Sequence, residues 1–256
     1  MSAVRRGERG GERGTRAVGR RARLPGTALY FPAMQYQDLV PVAVAIIAGY
    51  LIGGIPFGII IPRLIGGTDP RTIGSGRTGG ANVSRAVGMR WAAVSGLLDV
   101  AKASAVVLLV IAIGGGPVPQ VTAGLAAVIG HSRSPYIGFH GGRGVAPAAG
   151  GALIIAPVIL LAIFPVFALT ILLTRISSIG SLSASLVGGI TMIVITALAP
   201  LPPLYPNPLP PVYFVYGLGV IALIWGFHLD NIGRLLRGEE RRIGRKSAPS
   251  GVSRQS

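Results

Sequence analysis

"AAGGALIIAPVILLAIFPVFALTILL", residues 148–173, is apolar throughout and long enough to cross the roughly 30 Å of bilayer hydrocarbon once as a helix. It also carries Pro157 and Pro165, each of which removes a helical hydrogen bond and invites a break. Whether this segment crosses once or turns back decides the topology of the chain, and the charges on either side of it choose between the two.

Five further apolar runs cover residues 39–64, 91–113, 118–130, 182–199 and 212–227. The run at 118–130 is short and needs either extension into its loop or a locally thin bilayer. The loop after the first run carries Arg71, Arg77, Arg85 and Arg90, the turn "GGGPVP" (114–119) has no charge, and "HSRSPYIGFHGGRG" (131–144) has two arginines and two histidines. Basic loops stay on the cytoplasmic side, so the chain reads out, in, out, in up to Gly144. Three single crossings after that point would leave the most basic segment outside, the tail with Arg234, Arg237, Arg241, Arg242, Arg245 and Lys246. Residues 148–173 are therefore expected to form a helix pair that returns to its starting side. Arg175 and the "RISSIGS" turn (175–181) then face the cytoplasm, and the uncharged "PLPPLYPNPLPP" (200–211) faces out. The expectation is an all-α, polytopic membrane bundle of about seven helical segments, with glycine-rich loops and the tail gathered on one face.

Composition agrees. Half of the 256 residues are hydrophobic and only 12% are charged, with mean hydropathy +0.63, which is too much apolar surface for a soluble domain of this size. Alternating period-2 segments are missing, which argues against a β-barrel. The net charge of +16 lies in the first residues, the loops and the tail, as membrane orientation requires, so nucleic acid is not the expected partner. The absence of cysteine excludes disulfides, thiolate zinc sites and cysteine nucleophiles, and three histidines far apart in sequence make no convincing metal cluster. Residues 1–33 hold eight arginines and no apolar period, and read either as a disordered basic arm or as a start placed ahead of Met34. Residues 34–246 form the membrane domain, and 247–256 a disordered tail.

Two loops carry the chemistry. "GSGRTGG" (74–80) and "GGRG" (141–144) place closely spaced glycines beside Ser75, Arg71, Arg77, Arg85 and Arg143, a composition that turns backbone N–H groups and cations toward an anion. Neither is a Walker loop, no G-x-S-x-G occurs, and the H-x-x-x-x-D pair of many acyltransferases is missing. Asp99 and Lys102 lie three apart inside the second apolar run, where they share a helix face and can neutralise each other. They either set helix orientation or line a substrate pocket.

With these residues in hand, "GGIPFGIIIPRLIGGTDPRTIGSGRTGGANVSRAVG" (53–88) resembles the first motif region of the bacterial acyl-phosphate:glycerol-3-phosphate acyltransferase family, S-I-P-F-G followed by D-x-R and G-S-G-N-x-G-A-T-N-x-x-R. "GHSRSPYIGFHGGRGVAPAAG" (130–150) is similar to its G-H-x-x-P…G-G-K-G-V-A-T, "TRISSIGS" (174–181) to its R-x-x-S-x-x-S turn, and "FHLDNIGRLLRGEE" (227–240) to its H-x-x-N-I-x-R-L-L-x-G-x-E. The resemblance implies a multi-pass enzyme of the bacterial inner membrane with its active face in the cytoplasm. It would move a fatty acyl group from acyl phosphate to the 1-hydroxyl of glycerol 3-phosphate, giving lysophosphatidic acid and phosphate, and opening phospholipid synthesis without coenzyme A or a metal. It implies catalysis by positioning, with the donor phosphate taking the hydroxyl proton.

Carried over residue by residue, Gly74, Ser75 and Gly76 with Arg71 and Arg85 surround phosphate, and Asn82 is a positioning amide. Gly141, Gly142, Arg143 and Gly144 form a second cradle near His131, and Ser178 and Ser181 donate hydrogen bonds. His228 and Asn231 orient the acceptor or the transferred group, Glu240 braces the tail, and Asp99 with Lys102 supports the site. The departures are Gly54 for the family's serine, Arg77 for its asparagine, Ala81 for threonine, Arg143 for lysine and Pro147 for threonine. They keep two alternatives open: a divergent member with altered substrate or no turnover, and a small transporter of anionic solutes.

Overall fold

The computed structural model describes residues 36–197 and 209–243. The expected basic arm at 1–33, the tail at 247–256 and most of the proline-rich segment at 200–211 lie outside the described residues. Among the described residues ten α-helices follow in chain order: α1 Tyr36–Gly54, α2 Phe57–Leu64, α3 Gly80–Val87, α4 Met89–Ala112, α5 Pro117–Ser132, α6 Val145–Ile155, α7 Leu160–Thr174, α8 Ser177–Ala197, α9 Tyr213–Phe227 and α10 Leu229–Leu236. Among the described residues there is no strand, and the all-α membrane architecture expected from composition is what the chain adopts. Asp38–Leu64, α4 and α8 are each long and apolar enough to cross a membrane, and α9 with α10 passes the same test across a 62° bend.

The decisive segment breaks where the first of its prolines predicts. α6 ends at Ile155, Ala156 leaves helical geometry (φ −157°, ψ 75°), Pro157 opens a single 3-10 turn, and α7 begins at Leu160. Pro165 sits inside α7 without ending it. The two halves return to one end of the bundle: Arg143, just before α6, pairs with Asp230 of α10, while the Arg175 carbonyl after α7 accepts the Ile243 N–H at 2.7 Å from the segment following α10.

The first apolar run also breaks. Pro56 cannot donate a helical hydrogen bond, and α1 stops at Gly54 before α2 resumes at Phe57. Small residues let helices approach closely: side chains added at Gly49 and Gly53 of α1 would run into Ala126 and Ala127 of α5, and one at Gly150 of α6 would meet the Val100 carbonyl of α4. Ser104 of α4 closes the last contact by donating to the Gly150 carbonyl at 2.8 Å. Outward, Ile46, Ile47, Leu51, Leu108, Leu161, Leu172 and Leu173 remain exposed, as lipid-facing side chains do.

Candidate active site

A cavity of about 750 Å³ opens at the end of the bundle where both glycine-rich loops, the start of α8 and α10 meet. Its polar end is lined by Ser75, Arg77, Asn82, Arg85, Arg143, Ser178, Ser181, His228, Asn231, Arg234 and Glu240. From there it runs between α4, α7, α8 and α9 along Val100, Ile163, Phe167, Val220 and Ile224. Met89 and Leu97 of α4 and Phe164 of α7 line it and are themselves exposed, so the apolar part is a slot open to the side of the bundle. Ile159, Met192 and Tyr216 form its floor, each no more than 2% exposed.

Asn82 organises the first loop. Its Nδ2 shares its two hydrogens among the carbonyls of Pro70 (2.5 Å), Ile73 (3.0 Å) and Arg77 (2.9 Å), and its Oδ1 accepts the Ser75 N–H at 3.3 Å. With both ends of the amide committed to backbone, Asn82 acts on the site by fixing the loop. Gly74 and Gly76 take φ of 54° and 67°, and a side chain on Gly74 would collide with Asn82 Oδ1. Both shape the loop from outside the cavity wall, leaving Ser75 to face the cavity. Arg71 turns away. Its guanidinium forms a bidentate pair with Asp69, Nη2 to Oδ2 at 2.7 Å and Nε to Oδ1 at 3.1 Å, and it does not line the cavity. That hydrogen-bonded pair holds the Asp69 carboxyl below its ordinary range. Arg85, on α3, is half-buried and does line the cavity.

The second loop rests on His131. The Gly141 and Gly142 N–H groups donate to the Ser132 and His131 carbonyls at 3.1 and 3.2 Å, and a side chain on Gly142 would collide with His131 Nε2. Gly144 (φ 81°) opens α6 and lines the cavity beside Arg143, whereas Gly141 and Gly142 lie behind it. Arg143 Nη2 is 2.8 Å from Asp230 Oδ2 while its Nε is buried without a hydrogen-bond partner; burial draws its guanidinium below its usual range, against the pull of Asp230.

Under His131 lies the Asp99–Lys102 pair. Lys102 Nζ donates to the Ile55 carbonyl freed at the α1–α2 break (2.7 Å), forms an ion pair with Asp99 Oδ1 at 2.7 Å and lies 3.2 Å from His131 Nδ1. Asp99 and His131 touch the cavity, Lys102 does not. The pair thus joins α4, α5 and the α1–α2 break, and through His131 it sits beneath the second loop.

The C-terminal segment closes the site. Glu240 Oε1 accepts from Asn231 Nδ2 (2.7 Å) and Ser178 Oγ (3.2 Å), and its Oε2 from Arg234 Nε (2.8 Å). Asn231 Oδ1 is buried without a partner. Ser181 Oγ donates to the Ser177 carbonyl at 2.9 Å within α8. His228, just past the last turn of α9 and 2% exposed, approaches the Ile224 carbonyl through Nδ1 at 2.7 Å. A carbonyl only accepts, so Nδ1 carries the hydrogen and Nε2 keeps a lone pair; burial pushes the imidazole pKa down to about 4 and keeps it neutral. Arg77, read from the sequence as one of the cations beside the first loop, lines the cavity, and Asp230 and Arg234 join the site without having been assigned roles from the sequence. Asp230 and Arg234 lie within the "FHLDNIGRLLRGEE" stretch, where their helical spacing from His228 and Asn231 was the available signal.

The profile of the glycerol-3-phosphate acyltransferase family matches residues 43–238. A glycerol-3-phosphate acyltransferase of Synechococcus sp. (strain JA-3-3Ab) is 43% identical over 206 residues, 80% of this chain and 95% of that protein. One of Roseiflexus sp. (strain RS-1) is 38% identical over 198 residues, 77% of this chain and 93% of the relative. The fold is similar to that of PlsY (YgiH), an integral membrane glycerol 3-phosphate acyltransferase, whose crystal structures in glycerol 3-phosphate and lysophosphatidic acid forms superpose with TM-scores of 0.69 and 0.68. Both are 32% identical to this chain and match 80% of it and 96% of PlsY.

Proposed function

This chain belongs to the glycerol-3-phosphate acyltransferase family, integral-membrane acyltransferases by the fold it shares, and on that premise we propose that it takes its acyl group from acyl phosphate. The acceptor in this reading is the 1-hydroxyl of glycerol 3-phosphate, and the products are lysophosphatidic acid and phosphate. The observation that carries the reading is the shape and polarity of one cavity: a cationic end with paired loops, continuous with an apolar slot open to the bilayer. An acyl phosphate has that same division, an anionic head on a long apolar chain.

The residues suggest a division of labour. Ser75, Arg85 and Arg143 hold phosphoryl oxygens. Ser178 and Ser181 face the same end, and Gly74, Gly76, Gly141, Gly142 and Gly144 shape the cradles. His228 Nε2 and the unpartnered Asn231 Oδ1 are acceptors that orient the glycerol acceptor through its hydroxyl groups. The hydroxyl oxygen attacks the acyl carbonyl carbon, the bond from that carbon to the phosphate oxygen breaks, and phosphate departs with the hydroxyl proton. No side-chain base is needed, so rate comes from alignment and from cations placed against the developing charge. Arg71 enters this scheme only by holding the Asp69 turn. The basic loops and tail support a cytoplasmic orientation of this end, with the chain in the bacterial inner membrane.

The test is direct. Purified protein in detergent, given palmitoyl phosphate and glycerol 3-phosphate, should release phosphate and lysophosphatidic acid in equal amounts, and Ser75→Ala and His228→Ala should each abolish both. Well-folded protein that yields neither product overturns the reading.

A further inference from the structure

Arg77 occupies the position where the resembling family carries asparagine, at the apex of the first loop. Its backbone is fixed on both sides: its carbonyl accepts from Asn82 Nδ2 at 2.9 Å and its N–H donates to Ser75 Oγ at 3.4 Å. The side chain thus leaves a rigid point and lines the cavity, where Nη1 is buried without a hydrogen-bond partner. Arg143 Nε, lining the same cavity, is buried and unpartnered as well. Arg77 and Arg143 both belong to the wall of this one cavity.

The carboxylates of the site do not resolve this. Asp230 is shared between Arg143 and Arg234, and Glu240 is bound by Arg234, Asn231 and Ser178. Among the described residues no carboxylate forms a salt bridge with Arg77. Two like charges facing one low-dielectric space repel, and buried N–H groups without acceptors are costly. Both costs vanish when a doubly charged oxyanion lies between them, each guanidinium meeting an oxygen in a charge-assisted hydrogen bond.

We propose that Arg77 is a specificity-determining phosphate ligand of this chain, closing with Arg143 a two-guanidinium clamp on a phosphoryl group. This rests on the function proposed above and goes beyond it: a neutral asparagine at this position offers the phosphoryl group no charge. The ligand chemistry is a phosphate monoester or acyl phosphate dianion, and either substrate supplies one.

The experiment has two arms on purified full-length protein in detergent, comparing the wild type with Arg77→Asn, Arg77→Gln and Arg77→Lys. In the first, thermal stabilisation is titrated with inorganic phosphate, which requires no turnover. The half-saturating concentration should rise about tenfold in the amide variants and recover in part with lysine, as expected for loss of one charge-assisted hydrogen bond. In the second arm, KM is measured separately for palmitoyl phosphate and glycerol 3-phosphate, and the substrate whose KM rises by a similar factor is the one clamped. Phosphate midpoints and both KM values unchanged in the amide variants overturn the clamp, as does a wild type that phosphate does not stabilise. Wild type that binds phosphate through Arg77 yet makes no product keeps the clamp and sinks the acyltransferase reading.

Discussion

Arg143 Nη2 lies 2.8 Å from Asp230 Oδ2, a bond that ties the loop before α6 to the helix after α9. Asp230 is 40% exposed, so its worth to stability is small, and its effect is on where Arg143 points. Asp230→Asn should therefore lower kcat/KM by about tenfold, a loss of roughly 1.4 kcal/mol in transition-state alignment, with the melting temperature almost unmoved. A variant that loses stability in proportion to activity would refute a positioning role.

Lys102 and Asp99 are both buried, at 3% and 5% side-chain exposure. Lys102→Met leaves a carboxylate uncompensated inside the bundle and should cost about 3 to 5 kcal/mol, whereas replacing both partners with apolar residues of similar size should be close to neutral. Melting in detergent of Lys102→Met, Asp99→Leu and the double variant separates these outcomes. A loss in the double variant equal to the sum of the two single losses would show that the pair does not act as a unit.

His228 is neutral in the folded chain down to about pH 4, while an unfolded histidine takes a proton near 6.5. Folding therefore excludes a proton between those values, and apparent stability should fall as pH drops from about 6.5 toward 4. In His228→Gln, which has no titrating group there, the decline over the same window should be shallower. Parallel curves for the two proteins would place His228 in water rather than in a buried pocket.

Under the proposed function, the slot floor limits the acyl chain. Ser178 at the polar end and Met192 at the floor lie on the same helix, separated by about 21 Å at 1.5 Å per residue. An extended carbon chain advances about 1.2 Å per bond, as extended backbone does, so the slot suits roughly 16 to 18 carbons. Met192→Ala should raise the ratio of stearoyl to palmitoyl phosphate turnover, with the optimum moving by about two carbons. The ratio is insensitive to a general loss of folded protein, and an unchanged chain-length profile would show that the floor does not set the limit.

The sequence revealed the membrane class, the return of residues 148–173 and the loops that meet in the cavity, because each depends on local composition and on charge. What it concealed arises from contacts between distant segments. Residues 73–88 read as a polar loop, yet half of them form α3, held by the capping Gly88 and by Asn82 packed against the preceding turn. Ser178 and Ser181 were expected in a turn and lie on the first turns of α8. Arg71 looked equivalent to Arg85 by charge, and only the Asp69 pairing separates them. The Lys102 partner on Ile55 could not be read, because that carbonyl becomes available through the break at Pro56. Pro165 looked as disruptive as Pro157, but a proline in a lipid-facing helix can be tolerated where its neighbours absorb the lost hydrogen bond.

The opening between Met89 and Leu97 on α4 and Phe164 on α7 changes the arithmetic of saturation. An amphiphile arriving through that slot diffuses in the plane of the bilayer and never dissolves in water on the way. Under the proposed function, the quantity that saturates the enzyme is then the donor's mole fraction among lipids, while a water-soluble acceptor reaching the cationic end is counted per volume. Diluting the donor with inert lipid at constant total amount should slow turnover as surely as removing it, and kinetics for the two substrates belong on different concentration scales.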